Sequence, residues 1–181
     1  MLLLESLRGV SDPRRAQGRR YELPYILLYS VLAILAGAIS YRRIQRFMDV
    51  HRQRLNSLFG STWKRAPAHT AVRYILQRLD EEALEGALRA HSRGLLSQEG
   101  QRQGLHLGMD GKVLKGSFDH FLDQKAAHVL SAFATQEQLV LGHLTVSEKS
   151  NEIPAVQQLI EELGLSGCVF TLDAMHCQKN I

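Results

Sequence analysis

The chain has 181 residues, 45% of them hydrophobic, and only two cysteines, Cys168 and Cys177, a balance that excludes a disordered polyelectrolyte and a disulfide-stapled scaffold. Its net charge of +4 is unevenly spread: residues 1–104 carry 17 Lys and Arg against 9 Asp and Glu, whereas residues 105–181 carry 5 against 9. A basic front half suits a polyanionic partner and an acidic back half collects carboxylates, although a solvated charged surface gives the same balance.

The start, Met1–Leu4, lacks the basic n-region of a secretory leader, so no cleavable signal peptide is expected and a reducing cytoplasm is the simplest home. Ser11-Asp12-Pro13 reads as a turn or helix entry, and Arg14, Arg15, Arg19 and Arg20 make a short basic segment after it. The uncharged run from Leu23 to Tyr41 is predicted to be a buried helix. A membrane span is the alternative, opposed by Pro24, Ser30, Gly37 and Ser40 and by arginines on both flanks that give no orientation signal. From Tyr41 to Phe59, Ile44, Phe47, Met48 and Leu55 recur at helical spacing, which predicts one amphipathic helix with a basic outer face.

Gly60 to Ala66 is a break. Pro67 then opens a helix in which Val72, Ile75, Leu76 and Leu79 share one side while Arg73, Gln77 and Arg78 fall away from it. That helix fits the recognition element of a helix-turn-helix, with Arg73 and Arg78 toward DNA, but short basic helices are common and the preceding turn lacks a diagnostic glycine. Arginines there suit backbone phosphates without needing exact register. Asp80-Glu81-Glu82 caps a further helix through Leu84, Leu88 and His91. The expected domains are therefore a basic helical one over 1–96, a Gln- and Gly-rich linker over 97–104, and a second domain over 105–181.

Beyond the linker the period becomes strand-like, with Leu105, Leu107 and Met109 alternating with His106, Gly108 and Asp110. Ala127–Ala134 and Leu139–Val146 read as a hairpin around the polar loop Thr135–Gln138. Asn151 and Pro154 open a helix that turns Ile153, Val156, Leu159, Ile160 and Leu163 inward and ends at Gly164. Cys168–Leu172 is a short apolar strand closed by Asp173. The order predicts three antiparallel strands, a helix, and a fourth strand parallel to its neighbour, a mixed α/β sheet after an all-helical front.

Asp110 lies in an otherwise apolar strand pattern and Asp173 ends one, and ionised carboxylates near a core must be paired, hydrogen-bonded or metal-bound. If the last strand lies beside the first, the two converge and offer oxygen ligands to Mg²⁺. A pair of such ions about 4 Å apart activates a water or 3′ hydroxyl and stabilises the leaving oxygen in phosphodiester transfer. A turn or helix cap is the plain alternative for either aspartate. Lys112, two residues after Asp110, either continues the strand toward a phosphate or sits in a turn. Asn151 is a helix cap or, with Lys149, a contact to DNA. Cys168, His176 and Cys177 lack the paired spacing of a zinc site, and His128 and His143 read as structural.

Met109-Asp110-Gly111-Lys112, Glu148-Lys149-Ser150-Asn151-Glu152-Ile153 and Leu172-Asp173-Ala174-Met175-His176-Cys177-Gln178-Lys179 resemble the H-repeat-associated family of insertion-sequence transposases. Asp12-Pro13-Arg14, Ala36-Gly37-Ala38 before Ser40-Tyr41, and Pro67-Ala68-His69-Thr70 are similar to that family's N-terminal transposase-associated domain. The resemblance implies a ribonuclease H-like catalytic domain in which Asp110 and Asp173, with a Glu on a later helix, hold two Mg²⁺ or Mn²⁺ ions. It also implies DNA contacts by Lys112, Lys149, Asn151 and Lys179, action on insertion-sequence ends and target DNA as a homo-oligomer, and a cytoplasmic, nucleoid-associated protein without stable membrane association. Glu148, Glu152, Glu161 and Glu162 all precede Asp173, so no acid of the chain fits the Glu position. On that reading the catalytic domain is truncated and the chain alone binds Mg²⁺ poorly and joins no strands; the alternative is an inactive DNA-binding or dimerising remnant that inhibits the full protein.

Overall fold

The helix over Leu23–Leu35 (α2) is apolar on nearly every side, and a helix of that kind must be surrounded. In the computed structural model, which describes residues 2–96, 104–113, 128–146 and 152–172, it is the centre of the first of two compact units, Met1–His91 and Ser92–Ile181. Ile26, Tyr29 and Ala33 are fully enclosed, and Leu27 and Leu28 nearly so. A short helix over Leu2–Leu7 (α1), which the sequence did not announce, packs on α2 and adds Leu4 and Leu7 to its core. No helix among the described residues is long and apolar enough to cross a membrane.

The apolar run reaches Tyr41, yet α2 stops at Leu35 because Gly37 adopts φ +88°, a conformation that penalises any Cβ. The Gly37 N–H donates to the Ile34 carbonyl and the Ala38 N–H to the Ala33 carbonyl, both at 2.9 Å, closing a Schellman motif. Ser40 then caps the next helix, Tyr41–Val50 (α3), by accepting from the Arg43 N–H at 3.3 Å. Ile44 and Met48, one turn apart, are its buried side, while Arg42, Arg43 and Arg46 are exposed.

The single helix expected over 41–59 is two. His51 sits at φ −94°, ψ 6°, in the bridge region, and separates α3 from Arg52–Phe59 (α4), of which Leu55 is buried. Gly60 ends α4, and the segment that follows is pinned by a polar knot. The Tyr29 hydroxyl lies 2.6 Å from Ser61 Oγ, the Ser61 hydroxyl donates to Asn56 Oδ1 at 2.6 Å, and Asn56 Nδ2 donates to the Trp63 carbonyl at 2.9 Å. Trp63 in turn meets Tyr21 and Tyr29 edge to face, each with ring centroids 5.0 Å apart. Next come His69–Leu76 (α5), which buries Val72 and Ile75, and Glu81–Leu95 (α6), where Asp80 Oδ1 accepts from the Ala83 N–H at 3.1 Å as the expected cap.

In the second unit the strands His106–Val113 (β1), His128–Ala134 (β2) and Leu139–Val146 (β3) form the antiparallel series expected, and Val169–Leu172 (β4) joins β1 in parallel, giving the order β3-β2-β1-β4. Helix Glu152–Leu163 (α7) covers one face, with Val156, Leu159 and Leu163 enclosed against Leu107, Met109, Leu130 and Leu141. The other face keeps Asp110, Phe133, Val140 and Val169 exposed. The β2–β3 ladder is interrupted: Ala132 pairs with Gly142 and Phe133 with Val140, so Leu141 is an extra residue. Beside β4, the chain approaches itself so closely at Gly104 (φ +80°) that a Cβ there would lie 2.5 Å from the Gly167 carbonyl oxygen.

Candidate functional site

Period-two alternation decides where the first aspartate goes. Leu107 and Met109 face α7, so Asp110 projects from the open face, opposite Ser131 of β2. It is exposed, which corrects the expectation that its charge lies against the core: water solvates it at no desolvation cost. Lys112, opposite Val129, is on the same strand and also exposed, so β1 continues through it and the turn alternative is removed. The parallel pairing runs His106 with Val169, Leu107 with Phe170, Gly108 with Thr171 and Met109 with Leu172. Asp173, Lys149, Asn151 and Lys179 lie outside the described residues. Among the described residues no three His, Cys, Asp or Glu side chains converge as metal ligands. An exposed carboxylate on an uncovered sheet face is nonetheless the donor type and setting that a hydrated Mg²⁺ accepts.

Of the two arginines assigned to DNA, Arg73 lies in the last turn of α5, where its Nε donates to Gln77 Oε1 at 3.3 Å. Arg78 lies past the end of the helix and packs over the Tyr74 ring, 3.9 Å from its centroid. Both are exposed. Neither occupies the first turn, from which recognition helices address base edges, so the arrangement favours phosphate contacts over sequence reading.

The basic segment after Pro13 divides in a way its composition did not foretell. Arg14 is buried: it donates from Nη2 to Asp12 Oδ2 at 2.7 Å and to the Tyr21 carbonyl at 2.6 Å, from Nε to Asp12 Oδ1 at 2.9 Å and from Nη1 to the Gly18 carbonyl at 3.2 Å. Arg14 is thus an internal brace and not a surface cation. The hydrogen bond from Arg14 holds the Asp12 carboxyl below its ordinary value of 3.8, with the charges of Arg14 and Arg19 acting in the same direction. Around this brace the chain makes a 3₁₀ turn at Ala16–Gly18 and presents Arg15 and Arg20 outward.

Those two arginines, with Tyr21, Thr70, Ala71 and Tyr74, line a cleft of about 520 Å³ between the braced loop and α5. Tyr21 and Tyr74 had no place in the sequence reading. Aromatic residues beside arginines were the available signal, hidden because 50 residues of chain separate the two sides.

Comparison with known proteins places these features in a family. A family model described as DDE_Tnp_1-associated matches residues 4–92. The chain is similar to the "Putative protein YbfL" of Escherichia coli K12, with 31% identity over 99% of this chain and 46% of the relative. It is similar to the "H repeat-associated putative transposase YhhI" of the same strain, at 30% identity over 99% of this chain and 46% of the relative. It is also 30% identical to the "H repeat-associated putative transposase YbfD", here over 99% of this chain and 69% of the relative. The chain thus spans about half the length of the first two. No solved structure matches it significantly.

Proposed function

Because this chain belongs to the H repeat-associated family of transposases, we propose that it provides such an enzyme with a DNA-gripping helical part and with the opening strands of a metal-dependent phosphodiester-transfer site. The observation that carries this reading is the register of β1 on β4. Met109 pairs with Leu172, and each is followed in the sequence by an aspartate. Neighbouring strands of a parallel sheet lie about 4.8 Å apart, a spacing at which two carboxylates can share one divalent ion. Asp110 itself stands exposed on the face opposite Met109.

The strand order, with its antiparallel β1–β2–β3 and parallel β1–β4, supports a ribonuclease H-like assignment for the second unit. Asp110 and Asp173 would hold Mg²⁺, or Mn²⁺ in its place, and the metal would supply charge stabilisation for attack on a phosphodiester. Lys112, on the same open strand, suits a phosphate oxygen. Lys149, Asn151 and Lys179 remain assigned to DNA by motif. In the helical unit, Arg73 and Arg78 would neutralise backbone phosphates at the ends of an insertion sequence.

The metal site is tested by adding Mn²⁺ to the ¹⁵N-labelled chain. Broadening should begin at the amides of Met109, Asp110 and Gly111 and should disappear in Asp110→Asn; uniform broadening that ignores the substitution rejects the site. For DNA, Arg73→Ala with Arg78→Ala should weaken duplex binding and reduce the log–log salt slope by about 2. Unchanged affinity removes α5 from the interface.

A further inference from the structure

The geometry points to the cleft between the braced loop and α5 as a receptor for an unpaired nucleotide of DNA, its phosphate held by Arg15 and Arg20 and its base stacked on Tyr74. This deepens the DNA-binding reading above and rests on it.

The cleft has the right size and chemistry for that occupant. Its volume of about 520 Å³ falls within the range of small-ligand sites, roughly 300 to 1,000 Å³. Arg15 and Arg20 are exposed at the rim, and no carboxylate lines the cleft among the described residues. The potential there therefore favours an anion. The floor is aromatic and apolar: Tyr21, Tyr74, Pro67 and Ile75 contribute to it. Tyr74 lines the cleft and is 46% exposed, with Arg78 packed over its ring, so the side chain offers an accessible aromatic surface for a base. An arginine-rimmed groove with a stacking platform is how single strands are held without sequence preference. The Asp12–Arg14 pair positions the rim by fixing the carbonyls of Gly18 and Tyr21 on either side of Arg20. The cleft is thus braced from within the fold.

The test is fluorescence anisotropy of the 181-residue chain with a labelled oligothymidylate and, in parallel, a labelled duplex. Trp63 is the only tryptophan, and its ring is 5.0 Å from Tyr21. Its emission should therefore change as the single strand binds. Tyr74→Ala should lower single-strand affinity about tenfold, the loss of one stacking platform. Because that substitution also uncovers Arg78, Ala71→Phe is the second variant: it fills the cleft, leaves Tyr74 and Arg78 in place, and should give a loss at least as large. Arg15→Gln with Arg20→Gln should reduce the single-strand salt slope by about 1.4, the share of two phosphates. Single-strand affinity unchanged in both Tyr74→Ala and Ala71→Phe overturns the assignment. Duplex binding without single-strand binding by the wild-type chain overturns the cleft alone; no binding to either DNA overturns the cleft and the DNA-binding reading together.

Discussion

The two units solve the problem of charge and polarity in opposite ways. In the helical unit polar groups go inside: Arg14 is buried on Asp12 and two carbonyls, and Tyr29, Ser61 and Asn56 form a hydrogen-bonded series beneath Trp63. In the sheet unit the enclosed residues between α7 and the strands are aliphatic, and the acid of interest, Asp110, stands on the uncovered face. The difference teaches that charge in the sequence does not reveal its own task. An arginine among four in a basic segment became scaffold, while an aspartate in an apolar pattern remained accessible for chemistry.

Three substitutions test this contrast, beginning with the largest effect. Leu159→Ala removes an enclosed side chain from the α7 face and should cost about 3 kcal/mol. Native-state hydrogen exchange should show protection lost in β1, β2 and β3 and retained in α2; loss in both units would mean that the two cores unfold as one.

Asp12→Asn is next. It removes the charged partner of a buried arginine and should destabilise the helical unit by about 2 kcal/mol in urea denaturation. The folded carboxyl titrates below its ordinary 3.8, so its contribution is complete above that value and is lost as the pH falls through the lower folded one. The wild type should therefore lose stability on an acid limb below about pH 4 that the variant lacks, and equal acid limbs would show that the pair is not formed.

Tyr29→Phe should cost the least, about 1 kcal/mol, because the ring still packs and only the hydroxyl's hydrogen bonding is lost. Burial pushes the Tyr29 phenol above 10, so its contribution is intact below pH 10 and disappears as the pH rises through the elevated folded value. An alkaline limb that survives in the variant would assign that loss of stability to other groups.

Much of the sheet unit could be read in the sequence because its signals are local and periodic. Leu105, Leu107 and Met109 alternate, Thr135–Gln138 separates two apolar runs, and Val156, Leu159 and Leu163 keep helical spacing before Gly164. The break at His51 was not legible, since no glycine or proline marks it and the apolar period passes through it unchanged. The role of Arg14 was hidden for a different reason. Its partners are a residue two positions back and carbonyls four and seven ahead, a pattern belonging to loop conformation and not to any repeat. The candidate site was only partly legible: the strand pattern singled out Asp110, but the expectation set its charge against the core, whereas the alternation of β1 with Leu107 and Met109 inward leaves it exposed. The cleft joins residues near 15–21 to residues near 70–75, and nothing along the chain brings those two stretches together before folding does.

The extra residue in β3 has a consequence for how the protein behaves among copies of itself. β3 is an outer strand of the described sheet, and an outer strand with evenly spaced amides and carbonyls is a template on which another molecule's strand can grow. Leu141 interrupts that spacing and turns its side chain under α7 while Gly142 takes up the pairing with Ala132. Among the described residues the edge therefore presents no continuous ladder to a neighbour, and a deletion of Leu141 that straightened β3 is expected to favour edge-to-edge association.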